Sequence, residues 1–68
     1  MRSQIRVRLA ERRMTMQDLA MSMGVDRATV SRWCTDAGIG GMRLKDAERA
    51  AEALGCRVAD LFEEESAA

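Results

Sequence analysis

Apolar residues recur along this chain at the spacing of short helices, with polar positions between them. Ile5 and Leu9 share a face at i, i+4 and Ser3 can cap, so a first helix is expected over Ser3–Arg13. Ile5, Val7 and Leu9 also alternate as a strand would, but Ala10-Glu11-Arg12-Arg13 continues with strong helix formers and no turn signal. Thr15, followed three residues on by Asp18, is a variant capping box that starts a second helix near Met16. That helix turns Leu19, Ala20 and Met23 inward and ends at Gly24. Asp26 is placed to cap a third helix, Arg27 to Thr35, with Val30 and Trp33 inward at i, i+3. A fourth helix is expected over Arg43–Leu54, with Leu44, Ala47, Ala50 or Ala51, and Leu54 inward and Gly55 as its terminator. Val58, Leu61 and Phe62 predict a last short helix from Val58 to Glu64, and Ala37-Gly38-Ile39-Gly40-Gly41 reads as the one loop. The expected fold class is all-α, with five helices in one domain over residues 1–65 and a disordered tail at 66–68. Glu63, Glu64 and Glu65 oppose the macrodipole at the last helix end, which should fray.

Composition narrows the classes open to such a chain. With 68 residues it buries only about 60% of its unfolded surface, so the core is thin. Hydrophobic content of 47% beside 32% charged residues is a globular balance. Histidine is absent, which removes any His-based general base, nucleophile relay or metal site, and an enzyme is not expected. Cys34 and Cys56 cannot complete a four-ligand zinc site without histidine, so neither metal nor cofactor is expected. Both read as small reduced core thiols in a cytoplasmic protein. No apolar run approaches the ~18–20 residues of a membrane span, and none follows Met1 as a signal segment would.

The zero net charge conceals a polarity. Residues 1–34 carry seven arginines against three carboxylates, whereas residues 35–68 carry four basic side chains against eight acidic ones. A basic face for a polyanion and segregated solvated surfaces explain this equally well, so spacing must decide. Between the second and third helices only Gly24, Val25 and Asp26 remain, which is a helix-turn-helix connection. Helices crossing steeply over so short a turn need a small residue at the close approach, supplied by Ala20. They need a Cβ-free turn residue, supplied by Gly24, and apolar anchors on the second helix, supplied by Val30 and Trp33. Arg27, Ala28, Thr29, Ser31 and Arg32 remain outward, with no acidic residue after Asp26.

Met14-Thr15-Met16-Gln17-Asp18-Leu19-Ala20 and the run from Gly24 to Trp33 resemble the Cro/C1-type helix-turn-helix repressors, the XRE family. Ala53-Leu54-Gly55, with Leu61-Phe62 after it, is similar to that family's closing helices, so the likeness spans roughly residues 5 to 62. The resemblance implies a five-helix Cro/C1 repressor-like domain that puts its third helix in the major groove of double-stranded DNA. It implies a transcriptional regulator, most simply a repressor, binding a pseudo-palindromic operator as a homodimer, without a membrane or small-molecule partner. It assigns base-edge contacts to Arg27, Ala28 and Arg32, with Thr29 and Ser31 close to phosphate or base. Gln17, at the start of the second helix, and Arg43, after the loop, are the implied phosphate contacts. The family often has glutamine where Met16 stands and glutamate where Cys34 stands. Its loop before the fourth helix commonly carries a proline, where this chain has Ile39-Gly40-Gly41-Met42 and is about two residues longer. Gly40 and Gly41 are expected to let that loop pass close to phosphates.

Bland readings compete with each of these features. Helical spacing makes Trp33 a core residue rather than a base-stacking one. The scattered methionines are gap-fillers rather than a binding surface, and Arg6, Arg8, Arg12 and Arg13 form a solvated face. At the level of function the alternatives are an antitoxin-like or adaptor module whose main partner is a protein, and a phage excision or DNA-packaging accessory protein.

Overall fold

A computed structural model describes residues 1–63; the expected tail at 66–68 and the expected helix end at Glu64 lie outside the described residues. The order is β1 (Arg2–Ser3), α1 (Ile5–Glu11), α2 (Met16–Met23), α3 (Arg27–Trp33), α4 (Asp36–Gly40), α5 (Leu44–Leu54), a 3-10 turn (Val58–Leu61) and β2 (Phe62–Glu63). The inward positions of α1, α2, α3 and α5 converge on one core. Ile5, Leu9, Leu19, Ala20, Met23, Val30, Trp33, Ala50, Ala51 and Leu54 are all buried, joined by Ile39, Ala47 and Leu61. Among the described residues no polar side chain is buried.

Local chemistry sets the boundaries. Thr15 Oγ1 accepts from the Asp18 N–H at 3.0 Å while the Asp18 carboxylate accepts from the Thr15 N–H at 2.9 Å, so the capping box that starts α2 is complete. Gly24 closes α2 in the left-handed region at φ 69°, which a side chain would resist. The Val25 N–H then donates back to the Ala20 carbonyl at 3.0 Å and the Gly24 N–H to that of Met21 at 3.3 Å, a Schellman closure.

Four expectations about the elements are corrected. The glycine-rich stretch is not a loop but the short helix α4, because Thr35 Oγ1 accepts from the Gly38 N–H at 2.9 Å and Ile39 is buried. Since Thr35 caps α4, the preceding helix stops at Trp33 rather than continuing to Thr35. The last helix is a single 3-10 turn that gives way to β2, because Phe62 becomes extended and pairs with Ser3 of β1 in an antiparallel two-stranded sheet. Ser3 therefore does not cap α1; Gln4 holds that position, and the chain leaves the helix at Arg12 and Arg13, the latter at φ 55°.

Two side-chain expectations also change. Asp26 occupies the N-cap position of α3 in extended conformation but makes no side-chain cap bond, so it contributes only its backbone carbonyl. Leu44 is 67% exposed although its spacing puts it in line with Ala47 and Ala51, because it opens α5 beyond the edge of the core.

Candidate nucleic-acid interface

α2 and α3 pack closely on each other, and the Gly24-Val25-Asp26 turn joins them. Val30 and Trp33 are buried on the inner side of α3, which leaves Arg27, Ala28, Ser31 and Arg32 exposed and Thr29 half-buried. The helix is only seven residues, about 10 Å long, so tertiary bonds rather than propensity must hold it.

Those bonds collect at its C-terminal end, where carbonyls lack helical partners. Thr35 Oγ1 donates to the Arg32 carbonyl at 2.7 Å, and Ser3 Oγ donates to the Trp33 carbonyl at 2.6 Å. The Ser3 N–H donates to Asp36 Oδ1 at 2.9 Å, so β1 is tied to α3 and α4 together. On the far side of the turn, Arg49 of α5 donates from Nη2 to the Met23 carbonyl at 2.7 Å, anchoring the end of α2. Both helices of the pair are thus positioned by side chains distant in sequence. Neither Arg49 nor Ser3 carries a sequence signal for this role, because each contact spans more than twenty residues and depends on the finished fold.

Thr29, Arg32 and Arg43 line one cleft of about 520 Å³ between α3, α4 and the start of α5, with half-buried Asp46 at its edge. The ion pairs among the described residues are Arg8 with Glu11 at 2.7 Å and Arg57 with Asp60 at 3.7 Å. Neither involves Arg27, Arg32 or Arg43, all three of which are exposed. Gln17 is exposed in the first turn of α2, takes no part in the capping box, and is absent from this cleft. Of the seven sequence-derived site residues, the cleft therefore gathers three, α3 presents Arg27, Ala28 and Ser31 beside them, and Gln17 stands apart.

Within the protein, Gly40 and Gly41 are not the sterically constrained glycines. A Cβ on Gly40 would meet open space, and one on Gly41 would meet only the Gly38 carbonyl oxygen at 3.7 Å. Gly38 is the constrained one, since a Cβ there would overlap the Arg32 carbonyl oxygen. Cys34, following α3, is half-buried against the core with the Arg6 guanidinium nearby. Burial pushes its thiol up, and the Arg6 guanidinium pulls it partly back.

A short capped helix, a left-handed glycine turn and a second helix exposing arginines without ion pairs among the described residues define a helix-turn-helix domain of the DNA-binding class. A family model described as the Cro/C1-type HTH DNA-binding domain matches residues 4–65, and the chain belongs to that family. No curated protein and no solved structure matches the chain significantly. No helix among the described residues is long and apolar enough to cross a membrane.

Proposed function

We propose that this domain is a sequence-specific regulator of transcription that lays α3 along the major groove of duplex DNA and represses by occluding a promoter. The supporting observation is the division of α3 itself. Its buried side is spent on Val30 and Trp33, and its exposed side carries Arg27, Ala28, Ser31 and Arg32 with no acidic residue among them.

Arg27 opens the helix and is the proposed base reader, its fork matching guanine O6 and N7. Ala28 beside it admits a thymine methyl. Arg32 lies about 140° around the helix and ~7.5 Å farther along, so it serves a different position from Arg27. Sharing a cleft with Arg43 and Thr29 supports a backbone role for it, with the two guanidiniums flanking a phosphate. Ser31 and Gln17 are proposed as further polar contacts to the strands. The regulator is proposed to act as a homodimer on a pseudo-palindromic operator, because a seven-residue helix spans few base pairs.

Selecting bound sequences from random duplex DNA tests this reading. A shared half-site recovered in inverted pairs is the expected result. Recovery of unrelated sequences, bound as tightly as the scrambled duplex at physiological salt, would contradict it.

A further inference from the structure

Ser3 holds two helices from one position. Its hydroxyl donates to the Trp33 carbonyl at 2.6 Å and its N–H to Asp36 Oδ1 at 2.9 Å, across 30 and 33 positions of chain. No backbone N–H among the described residues donates to the Trp33 carbonyl, so the Ser3 hydroxyl is its partner. At the other end of α3, Asp26 gives no side-chain cap bond. Thr35 Oγ1 bonds the Arg32 carbonyl and caps α4, but Thr35 lies between the two helices and moves with them. The position of Ser3 is set from elsewhere. It pairs with Phe62 of β2, and the next residue, Gln4, donates its N–H to the Leu61 carbonyl at 2.8 Å. Among the described residues, the hydrogen bonds that fasten α3 and α4 to the two-stranded sheet all come from Ser3.

We propose that Ser3 is a positioning residue for base reading: by fixing the tilt of α3, it sets how well the protein separates its operator from other DNA. The proposal rests on the DNA-binding reading above and adds the residue on which its selectivity depends. Val30 and Trp33 anchor α3 in the core with or without Ser3, so what the bond restrains is rotation about those anchors. Arg27 and Trp33 stand at opposite ends of the helix, about 9 Å apart along its axis. A tilt of roughly 10° at Trp33 therefore moves Arg27 by ~1.5 Å, beyond the ~0.5 Å within which a binding group must be held.

The two kinds of DNA contact respond differently to such a shift. A bidentate bond from Arg27 to a base edge is lost when its donors are misplaced. A phosphate contact from Arg43 draws on charge, and Arg43 stands outside α3 at the start of α5. Freeing the Trp33 carbonyl thus removes selectivity before it removes affinity.

The test measures the affinity of the full chain for a selected operator and for a scrambled duplex, and takes their ratio. Ser3→Ala removes the hydroxyl, and Ser3→Thr keeps it on a side chain suited to a strand. Asp36→Ala breaks the second bond from an exposed position. Gln4→Ala, which loses the bond from Gln4 Nε2 to Glu63 Oε2 at 3.2 Å, controls for damage to the sheet. Ser3→Ala should cut the ratio about fivefold, the factor one ordinary hydrogen bond contributes, through weaker operator binding alone. Asp36→Ala should cut it as well, while Ser3→Thr and Gln4→Ala should keep the wild-type ratio. Amide hydrogen exchange in Ser3→Ala should quicken in α3 while α5 keeps its protection. An unchanged ratio in Ser3→Ala and Asp36→Ala, equal loss on both duplexes, faster exchange in every helix alike, or no restoration by Ser3→Thr would each overturn the proposal while wild-type selectivity stands. A wild type that does not separate the two duplexes would overturn the DNA reading, and the proposal with it.

Discussion

Gly38 lies directly against the carbonyl of Arg32, so close that a methyl group on Gly38 would occupy the carbonyl oxygen's place. The same carbonyl accepts from Thr35 Oγ1 at 2.7 Å, and Thr35 in turn caps α4. The end of α3 and the start of α4 are thus one unit. Gly38→Ala should destabilise the domain by ~1–3 kcal/mol, the range for forced overpacking. Gly40→Ala, which meets open space at the end of α4, should be neutral or stabilise by up to ~1 kcal/mol. Thermal melts of the two variants check the contrast, and equal destabilisation would disprove the packing assignment.

Arg13 ends α1 at φ 55°, a conformation that L side chains adopt at a cost. The Met14 N–H closes the turn on the Leu9 carbonyl at 2.9 Å, as glycine ordinarily does at this position. Arg13→Gly should therefore raise stability by up to ~1 kcal/mol, an unusual sign for a change to glycine. Urea unfolding measures it, and a lowered midpoint would refute it.

Asp60 accepts from the Arg57 N–H at 3.0 Å, which holds its carboxyl below the ordinary value, with the Arg57 and Arg8 charges helping. A carboxyl depressed in the folded state adds stability above its unfolded pKa and loses it as pH falls through the folded one. Asp60→Asn should flatten the acid limb of the melting-temperature profile and leave the slope near neutrality unchanged. An acid limb identical to wild type would show that the bond does not matter.

Trp33 is nine-tenths buried at the end of α3, beneath the cleft that Arg32 and Arg43 share. Trp33→Ala should cost about 3–5 kcal/mol, enough to unfold so small a domain. Circular dichroism at 25 °C checks this; a native helical spectrum with an unchanged melt would contradict it.

What could be read from the chain before folding follows a physical line. The helix pair was legible because Thr15, Asp18, Ala20, Gly24, Val30 and Trp33 act locally, through caps, a turn and helical spacing. α4 was not, because three of the residues in Ala37-Gly38-Ile39-Gly40-Gly41 have the poorest helix propensity short of proline. Its helix depends on the Thr35 cap and the burial of Ile39. The β1–β2 pairing was hidden too, since Ser3 and Phe62 meet only after the chain has folded back. At the site, the exposed row on α3 was readable by subtraction from the core. The companionship of Arg32 with Arg43, and the anchor from Arg49 to Met23, required the tertiary structure. Leu44 misled because helical periodicity says which residues share a face, not where that face runs out of core.

The central claim is that α3 reads bases through Arg27 while Arg43 holds the backbone. Titrating Arg27→Ala and Arg43→Ala against a selected operator and a scrambled duplex, at several salt concentrations, tests it most directly. Arg27→Ala should lose ~1–3 kcal/mol on the operator and barely change on the scrambled duplex. Arg43→Ala should weaken both duplexes alike and lower the salt slope by about one unit. Equal loss on both duplexes from Arg27→Ala, or no loss from either variant, would contradict the account.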